Sequence, residues 1–258
     1  MKIRLAKQSD KSKILEFCQN TFSWGDYIED AWDHWIKEGN LFILENDSPL
    51  GLAHAHLANN QVWIEGIRIH PQYRKKHYAS KLIEKIENIA REKGKLFSFM
   101  LIDVSNNSSM LLAKKCRYSI KQTWKFYTLD PKLCNPSSVE FTHIIPEYIT
   151  QYVKSWRWLP LDSKKIREFS EQKKLICSNQ NKNPAYAILM DSSCFGKTLV
   201  VTFFSGNDSD VTNLLCYIQN FSYSKNYNRI ELLTKKTLPN FDSLELKTSF
   251  HLFKKKLD

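Results

Sequence analysis

The stretch of this sequence with the clearest chemical meaning is Glu65-Gly66-Ile67-Arg68-Ile69-His70-Pro71-Gln72-Tyr73-Arg74-Lys75-Lys76-His77-Tyr78-Ala79-Ser80-Lys81-Leu82. It reads as a strand, a proline that ends it, a tight basic loop and the start of a helix. A loop feeding a helix N-terminus aims several backbone N–H groups at one place, and the helix dipole adds positive potential there. Successive loop amides form an anion nest, and Arg74, Lys75 and Lys76 raise the local field further. Such a device suits a diphosphate. His54 and His56 stand two apart on a strand and so share a face. A metal there would need further ligands, and the sequence supplies none, so no metal is expected.

The elements that must position these residues follow from periodicity and stop signals. A strand at 3–5 is followed by a helix capped by Asp10, with Ile14, Leu15 and Cys18 on one side. An aromatic turn, Phe22-Ser23-Trp24-Gly25-Asp26-Tyr27, leads to a second helix with Ile28, Trp32, Trp35 and Ile36 at helical spacing, stopped by Gly39-Asn40. Strands follow at 41–45, 50–57 and 62–69, the last two forming a hairpin around Ala58-Asn59-Asn60-Gln61. A helix over 79–93 carries Leu82, Ile83, Ile86, Ile89 and Ala90 as one apolar stripe and ends at Gly94. A strand at 96–103, a helix at 106–116 and a strand at 124–129 complete an order of β-α-α-β-β-β-α-β-α-β. This order predicts a mixed α/β domain over residues 1–130.

Residues 131–138, Pro131-Lys132-Leu133-Cys134-Asn135-Pro136-Ser137-Ser138, read as a linker. A second domain over 139–258 repeats the grammar more weakly. Its expected helices lie at 146–154, 163–172 and 210–221, and its expected strands at 186–190, 198–204, 229–234 and 251–255.

Composition narrows the partners. The 258 residues are 42% hydrophobic and 25% charged, a normal core-forming mixture. No apolar run approaches the roughly 20 residues of a membrane span. The opening Met1-Lys2-Ile3-Arg4-Leu5 is too soon interrupted by charge for a signal peptide, so a cytoplasmic location without a membrane partner is expected. The six cysteines form no CxxC pair and read as free, mostly buried thiols. A net charge of +11 would serve nucleic acid, an anionic membrane or a polyanionic small molecule. The lysines are dispersed and no nucleic-acid-binding motif is present, so a solvated basic surface that steers a phosphorylated cofactor is expected, and nucleic acid is not.

Two motifs carry a family resemblance. Ile69-His70-Pro71 followed by Arg74-x-x-His77-x-Ala79 resembles motif A of the Gcn5-related N-acetyltransferase (GNAT) superfamily, Val-x-Pro then Arg/Gln-x-x-Gly-x-Gly/Ala. Asn106-x-x-Ser109-x-x-Leu112-Ala113-x-Lys115-x-Arg117-Tyr118 resembles its motif B, Asn-x-x-Ala/Ser-x-x-Leu-Tyr/Ala-x-Lys-x-Gly-Phe. The resemblance spans about residues 3–130 and implies the GNAT fold, with acetyl-CoA as donor. It implies that backbone groups of Ile67, Arg68 and Ile69 pair with the pantetheine arm. It implies that the amides of Lys75, Lys76, His77, Tyr78, Ala79 and Ser80 hold the diphosphate and that Asn106 faces the cofactor arm. The splay of the fourth and fifth strands would admit the cofactor and hold thioester and amine together.

His77 and Arg117 stand where the family has glycines. His77 would either offer its own N–H to phosphate or crowd the site; retained binding is the expectation. Ala113 stands where the family often has an acidic tyrosine, so no general acid is carried over; Tyr118 and Tyr127 read as core. Glu65 lies where the family often places a carboxylate base acting directly or through water. Its other reading is an exposed glutamate or a partner of Arg68. Asp26 is a second carboxylate that could bind an amine. Trp24, Tyr27, His54 and His56 could line the acceptor pocket, while Trp32 and Trp35 read as helix core.

The turn at Trp24-Gly25-Asp26-Tyr27, the segment Glu65-Gly66-Ile67-Arg68-Ile69 and the C-terminal appendage are similar to the histidine N-acetyltransferase-like branch, which pairs a GNAT domain with a degenerate second one. That implies an enzyme acetylating a small amine such as an amino acid. The alternatives are a protein N-terminal or lysine acetyltransferase, or a non-catalytic acyl-CoA-binding regulatory module. At the second domain's equivalent of the diphosphate loop stands Phe204-Ser205-Gly206-Asn207-Asp208-Ser209-Asp210, whose acidity would repel phosphate. Trp156-Arg157-Trp158-Leu159-Pro160 could pack against the first domain. Monomer and homodimer are not distinguished.

Overall fold

The computed structural model describes residues 1–19, 21, 25–136, 139–180, 182–193 and 195–258. They divide into two compact units, Met1–Lys121 with His251–Asp258, and Gln122–Phe250.

The first unit holds β1 (Lys2–Leu5), α1 (Lys11–Cys18), α2 (Ile28–Glu38), β2 (Leu41–Glu45), β3 (Pro49–Ala58), β4 (Gln61–Ile69), α3 (Tyr78–Glu92), β5 (Phe97–Asp103) and α4 (Asn107–Lys115). Alternation along β2 sorts its residues to two faces. Phe42 and Leu44 pack with Leu82, Ile83, Ile86 and Ala90 of α3 and with Ala113 of α4. Leu41 and Ile43 pack with Ile14 and Cys18 of α1 and with Ile28, Ala31, Trp32 and Trp35 of α2. The sheet is therefore sandwiched between two helical layers.

Both helices of the α3–α4 face end in a Schellman turn. Gly94, at φ 67°, follows α3, and Lys95 N–H reaches back to Ala90 O. Arg117, at φ 66°, follows α4, and Tyr118 N–H reaches back to Ala113 O. The turn geometry expected at Arg117 is present although glycine is not.

The second unit holds β7 (Glu140–Phe141), β8 (Gln151–Lys154), β9 (Arg157–Pro160), α5 (Ser163–Glu171), β10 (Leu175–Ser178), β11 (Ala185–Asp191), β12 (Thr198–Phe204), α6 (Asp208–Ser224) and β13 (Arg229–Thr234). Residues 122–129 of β6 (Ser119–Leu129) also belong to it, and Lys125–Leu129 pair with β13. Its sequence of helix, three antiparallel strands, helix and strand repeats that of the first unit, with β12 and β13 parallel.

Three expectations need correction here. Residues 146–154 are not a helix: Gln151–Lys154 is a strand paired with Arg157–Pro160 across a two-residue turn, Ser155 and Trp156, both at positive φ. The strand at 251–255 is part of β14 (Glu245–Lys256), and from His251 on it belongs to the first unit, where Phe253 is fully buried and Leu257 N–H bonds Leu96 O. Cys134 and Cys216 are not free thiols but a disulfide, 82 residues apart in sequence. Cys18 and Cys177 are free and buried, as expected, and Cys116 is free and half-buried.

Candidate active site

β4 and β5 run parallel and pair at only three positions, Gln61 with Phe97, Val62 with Ser98 and Trp63 with Phe99. Beyond the stacked Trp63 and Phe99 rings the strands separate, although β4 continues to Ile69 and β5 to Asp103. One edge of β4 is thus open over Ile67, Arg68 and Ile69, an arrangement that accepts an extended chain as an added strand. Two of these carbonyls already accept side-chain bonds, Ile67 O from Arg68 Nη1 and Ile69 O from Arg74 Nε, each at 3.1 Å.

The other edge of β4 carries a bulge. Leu52 pairs with Arg68 and His54 with Glu65, so Gly66 and Ile67 together oppose Ala53. Gly66 sits at φ 63°, and a Cβ there would lie 2.6 Å from Trp35 Cζ3, and closer still to Cη2. Only glycine fits this close approach.

Glu65 lies two residues beyond the last β4–β5 pair. His54 Nδ1 meets its Oε1 at 2.9 Å, and His54 Nε2 meets Gly39 O at 3.0 Å. A carbonyl can only accept, so Nε2 carries a proton, and Nδ1 and Glu65 share a second one. The His54 ring stacks on Trp35 at 4.9 Å and is fully buried, so it supports Glu65 and is not an open pocket wall. His56 shares its face, as expected: its Nδ1 lies 3.3 Å from Glu38 Oε1, and His54 Nε2 lies 3.5 Å from Glu38 Oε2. His34 Nε2 also meets Glu38 Oε1 at 3.3 Å. Sequence reasoning does not find Glu38 and His34: they lie one helical turn apart on α2, whose periodicity marks only its core residues. No group of described residues has the ligands of a metal site.

Asp26 is committed elsewhere. Its carboxylate accepts a bidentate pair from Arg68, Nε at 2.7 Å and Nη2 at 2.9 Å, and the Ile28 N–H at 3.2 Å. The Asp26 side chain is only 4% exposed, so the amine ligand expected there is an internal counter-ion. Arg68 therefore pairs with Asp26 and stacks over Tyr27 at 5.1 Å. Burial pushes the Tyr27 phenol above its ordinary range. Trp24 lies outside the described residues.

At the far end of β4 the chain passes Pro71 and Arg74 and enters α3 through two left-handed residues, Lys75 at φ 61° and His77 at φ 62°. No side chain caps α3. The N–H groups of Tyr78, Ala79 and Ser80, its first turn, have no helical acceptor. Arg74, Lys75 and Lys76 are exposed and, among the described residues, have no carboxylate partner. This donor set fits a diphosphate. Asn106 caps α4, accepting Ser109 N–H at 3.0 Å through its side-chain oxygen. No general acid is supplied at motif B: Ala113 is fully buried, and the Tyr118 hydroxyl donates to Glu87 at 2.8 Å beside Ser98. Burial, with Glu87 beside it, holds the Tyr118 phenol well above its ordinary range. Tyr127 belongs to the second unit, where its hydroxyl accepts Leu238 N–H.

The equivalent place in the second unit is closed. β12 and β13 pair along six positions, Thr198–Arg229 to Phe203–Thr234, without separating. Asn207 caps α6, and the fully buried Asp210 accepts from Ser178, Gln180 N–H and Asn207. A helix N-terminus already holding its own carboxylate offers little to phosphate.

No curated protein matches the sequence. Among solved structures, a protein assigned as an acetyltransferase from Thermoplasma acidophilum superposes with a TM-score of 0.67 at 15% identity, over 99% of this chain and 100% of that one. A GCN5-related N-acetyltransferase from Sphaerobacter thermophilus gives 0.65 at 10% identity, over 99% and 95%. These likenesses establish the fold. Residues 12–118 match the model of the acetyltransferase (GNAT) family. That segment contains the separated strands, the bulge, the uncapped helix and Asn106, so the first unit is similar to the GNAT acetyltransferases, a family whose donor is acetyl-CoA.

Proposed function

We propose that the first unit transfers the acetyl group of acetyl-CoA to the amine of a small molecule such as an amino acid. The observation that carries this reading is the end of β4–β5 pairing at Trp63–Phe99, with Glu65 two residues beyond it and the uncapped α3 N-terminus at the same strand's end. The amides of residues 75–80 and the side chains of Arg74, Lys75 and Lys76 would hold the diphosphate. The open edge of Ile67, Arg68 and Ile69, with Asn106, would hold the pantetheine arm. Bound acetyl-CoA supplies an activated thioester. Glu65, oriented by His54, takes a proton from the incoming ammonium directly or through water; a positioned base contributes about 10²–10⁴-fold. Asp26, Arg68 and Tyr27 brace the turn ahead of α2, and His56 with Glu38 edges the acceptor side. The fused second unit, closed where the first is open, is read as a degenerate GNAT-like domain that holds no cofactor.

The test is calorimetry with coenzyme A, then release of free thiol from acetyl-CoA in the presence of single amino acids, simple amines and peptides. One coenzyme A per chain and turnover with free amines are expected. Glu65→Gln should lower kcat about 10²-fold or more while leaving coenzyme A affinity within twofold, roughly the scatter of distant sites. Acetylation of peptides alone would sink the small-amine reading, and absence of any coenzyme A uptake would sink the acetyl-transfer reading itself.

A further inference from the structure

The loop residue that departs most from the family pattern has a partner of its own. His77 occupies the N-cap position of α3 at φ 62°, ψ 14°, without a side-chain bond to the helix, and its Nδ1 lies 3.1 Å from Nζ of Lys115, at the end of α4. An ammonium has only protons to give, so Lys115 donates and Nδ1 accepts. The imidazole is then neutral and carries its proton on Nε2, which is a hydrogen-bond donor. Both side chains are exposed, and among the described residues neither is paired with a carboxylate. They stand beside the first-turn amides of α3, so the pair adds one cation and one directed N–H to that donor set.

Resting on the acetyl-CoA reading above, we propose that the His77–Lys115 pair is a diphosphate-binding element that replaces the loop glycine. Lys115 fixes the imidazole tautomer, and His77 Nε2–H donates to the diphosphate. The left-handed backbone that glycine would have supplied is adopted by the histidine itself.

The experiment is calorimetric titration of the whole chain with coenzyme A and with dephospho-coenzyme A, which lacks the 3′-phosphate. His77→Gly removes the donor and suits the backbone, so it should fold at least as well as the parent. It should bind both ligands about tenfold more weakly, the scale of one charge-assisted hydrogen bond. Lys115→Met should also weaken both, and the double variant should lose less than the product of the two single losses. Long-range 1H–15N correlation spectra of the unliganded parent should show His77 as the Nε2–H tautomer, becoming a mixture in Lys115→Met. If the parent binds coenzyme A and His77→Gly binds it equally or more tightly, the pair is not a ligand and this inference falls while the acetyl-transfer reading stands. A loss seen with coenzyme A but not with dephospho-coenzyme A would move the contact to the 3′-phosphate and overturn the assignment. A dominant Nδ1–H tautomer, or one unmoved in Lys115→Met, would overturn the role of Lys115.

Discussion

Replacing Gly66 by alanine should cost the first unit several kcal/mol and displace Glu65, the base proposed above, at the same time. Two terms add. The backbone at Gly66 is left-handed, φ 63°, and an L-residue there costs about 1–2 kcal/mol. The new methyl would also sit 2.6 Å from Trp35 Cζ3, and overpacking of a rigid ring costs about 1–3 kcal/mol. The sum, about 2–5 kcal/mol, is a large share of the 5–15 kcal/mol that holds a typical domain together. The expected fall in Tm is roughly 10 °C. Trp35 stacks on His54, and His54 bonds Glu65, so a displaced Trp35 moves the proposed base. The kcat should therefore fall by a larger factor than the coenzyme A affinity.

The assay is denaturant unfolding, followed by indole fluorescence, of the parent, Gly66→Ala, Trp35→Leu and the double variant. In the Trp35→Leu background the collision is gone and only the backbone term of about 1–2 kcal/mol should remain. An equal loss in both backgrounds would refute the collision. A loss below about 0.5 kcal/mol in the parent, the size of an ordinary surface substitution, would refute the bulge geometry itself.

Other outcomes follow from the same structure. Arg117→Gly should stabilise the first unit by about 1 kcal/mol, because it removes left-handed strain at the end of α4; denaturation midpoints check this. Glu231 is 2% exposed, and burial raises its carboxyl pKa despite Arg229 and Trp156 beside it. Its contribution is full below the ordinary carboxylate pKa of about 4.3 and is lost as pH rises through the raised value. Glu231→Gln should flatten the fall in stability between the ordinary and the raised value, and a pH series of unfolding curves would show whether it does. Reducing the Cys134–Cys216 disulfide should cost the second unit about 4.5 kcal/mol by the loop-closure argument for 82 residues. Cys134→Ser should unfold at the same midpoint with and without reductant.

The sequence by itself determined the first unit's element order from β1 to α4, but not that the strand expected at 124–129 would belong to the second unit. Leu82, Ile83, Ile86 and Ala90 recur at helical spacing, Pro71 ends a strand, and Gly94 ends a helix; each is a local signal that packing did not override. The basic loop, Glu65 on its strand and the shared face of His54 and His56 were legible for the same reason. Tertiary structure decided the rest. Asp26 became the counter-ion of Arg68, 42 residues away, because a buried guanidinium requires one. The hairpin at Ser155 and Trp156 carries none of the glycine or asparagine that announces such turns, so its strand was read as helix. The bulge at Gly66 depends on the facing β3, and the Cys134–Cys216 bond joins positions that no spacing rule connects. The return of His251–Asp258 to the first unit was equally hidden, since a strand's pattern records which face is apolar but not which neighbour it will find.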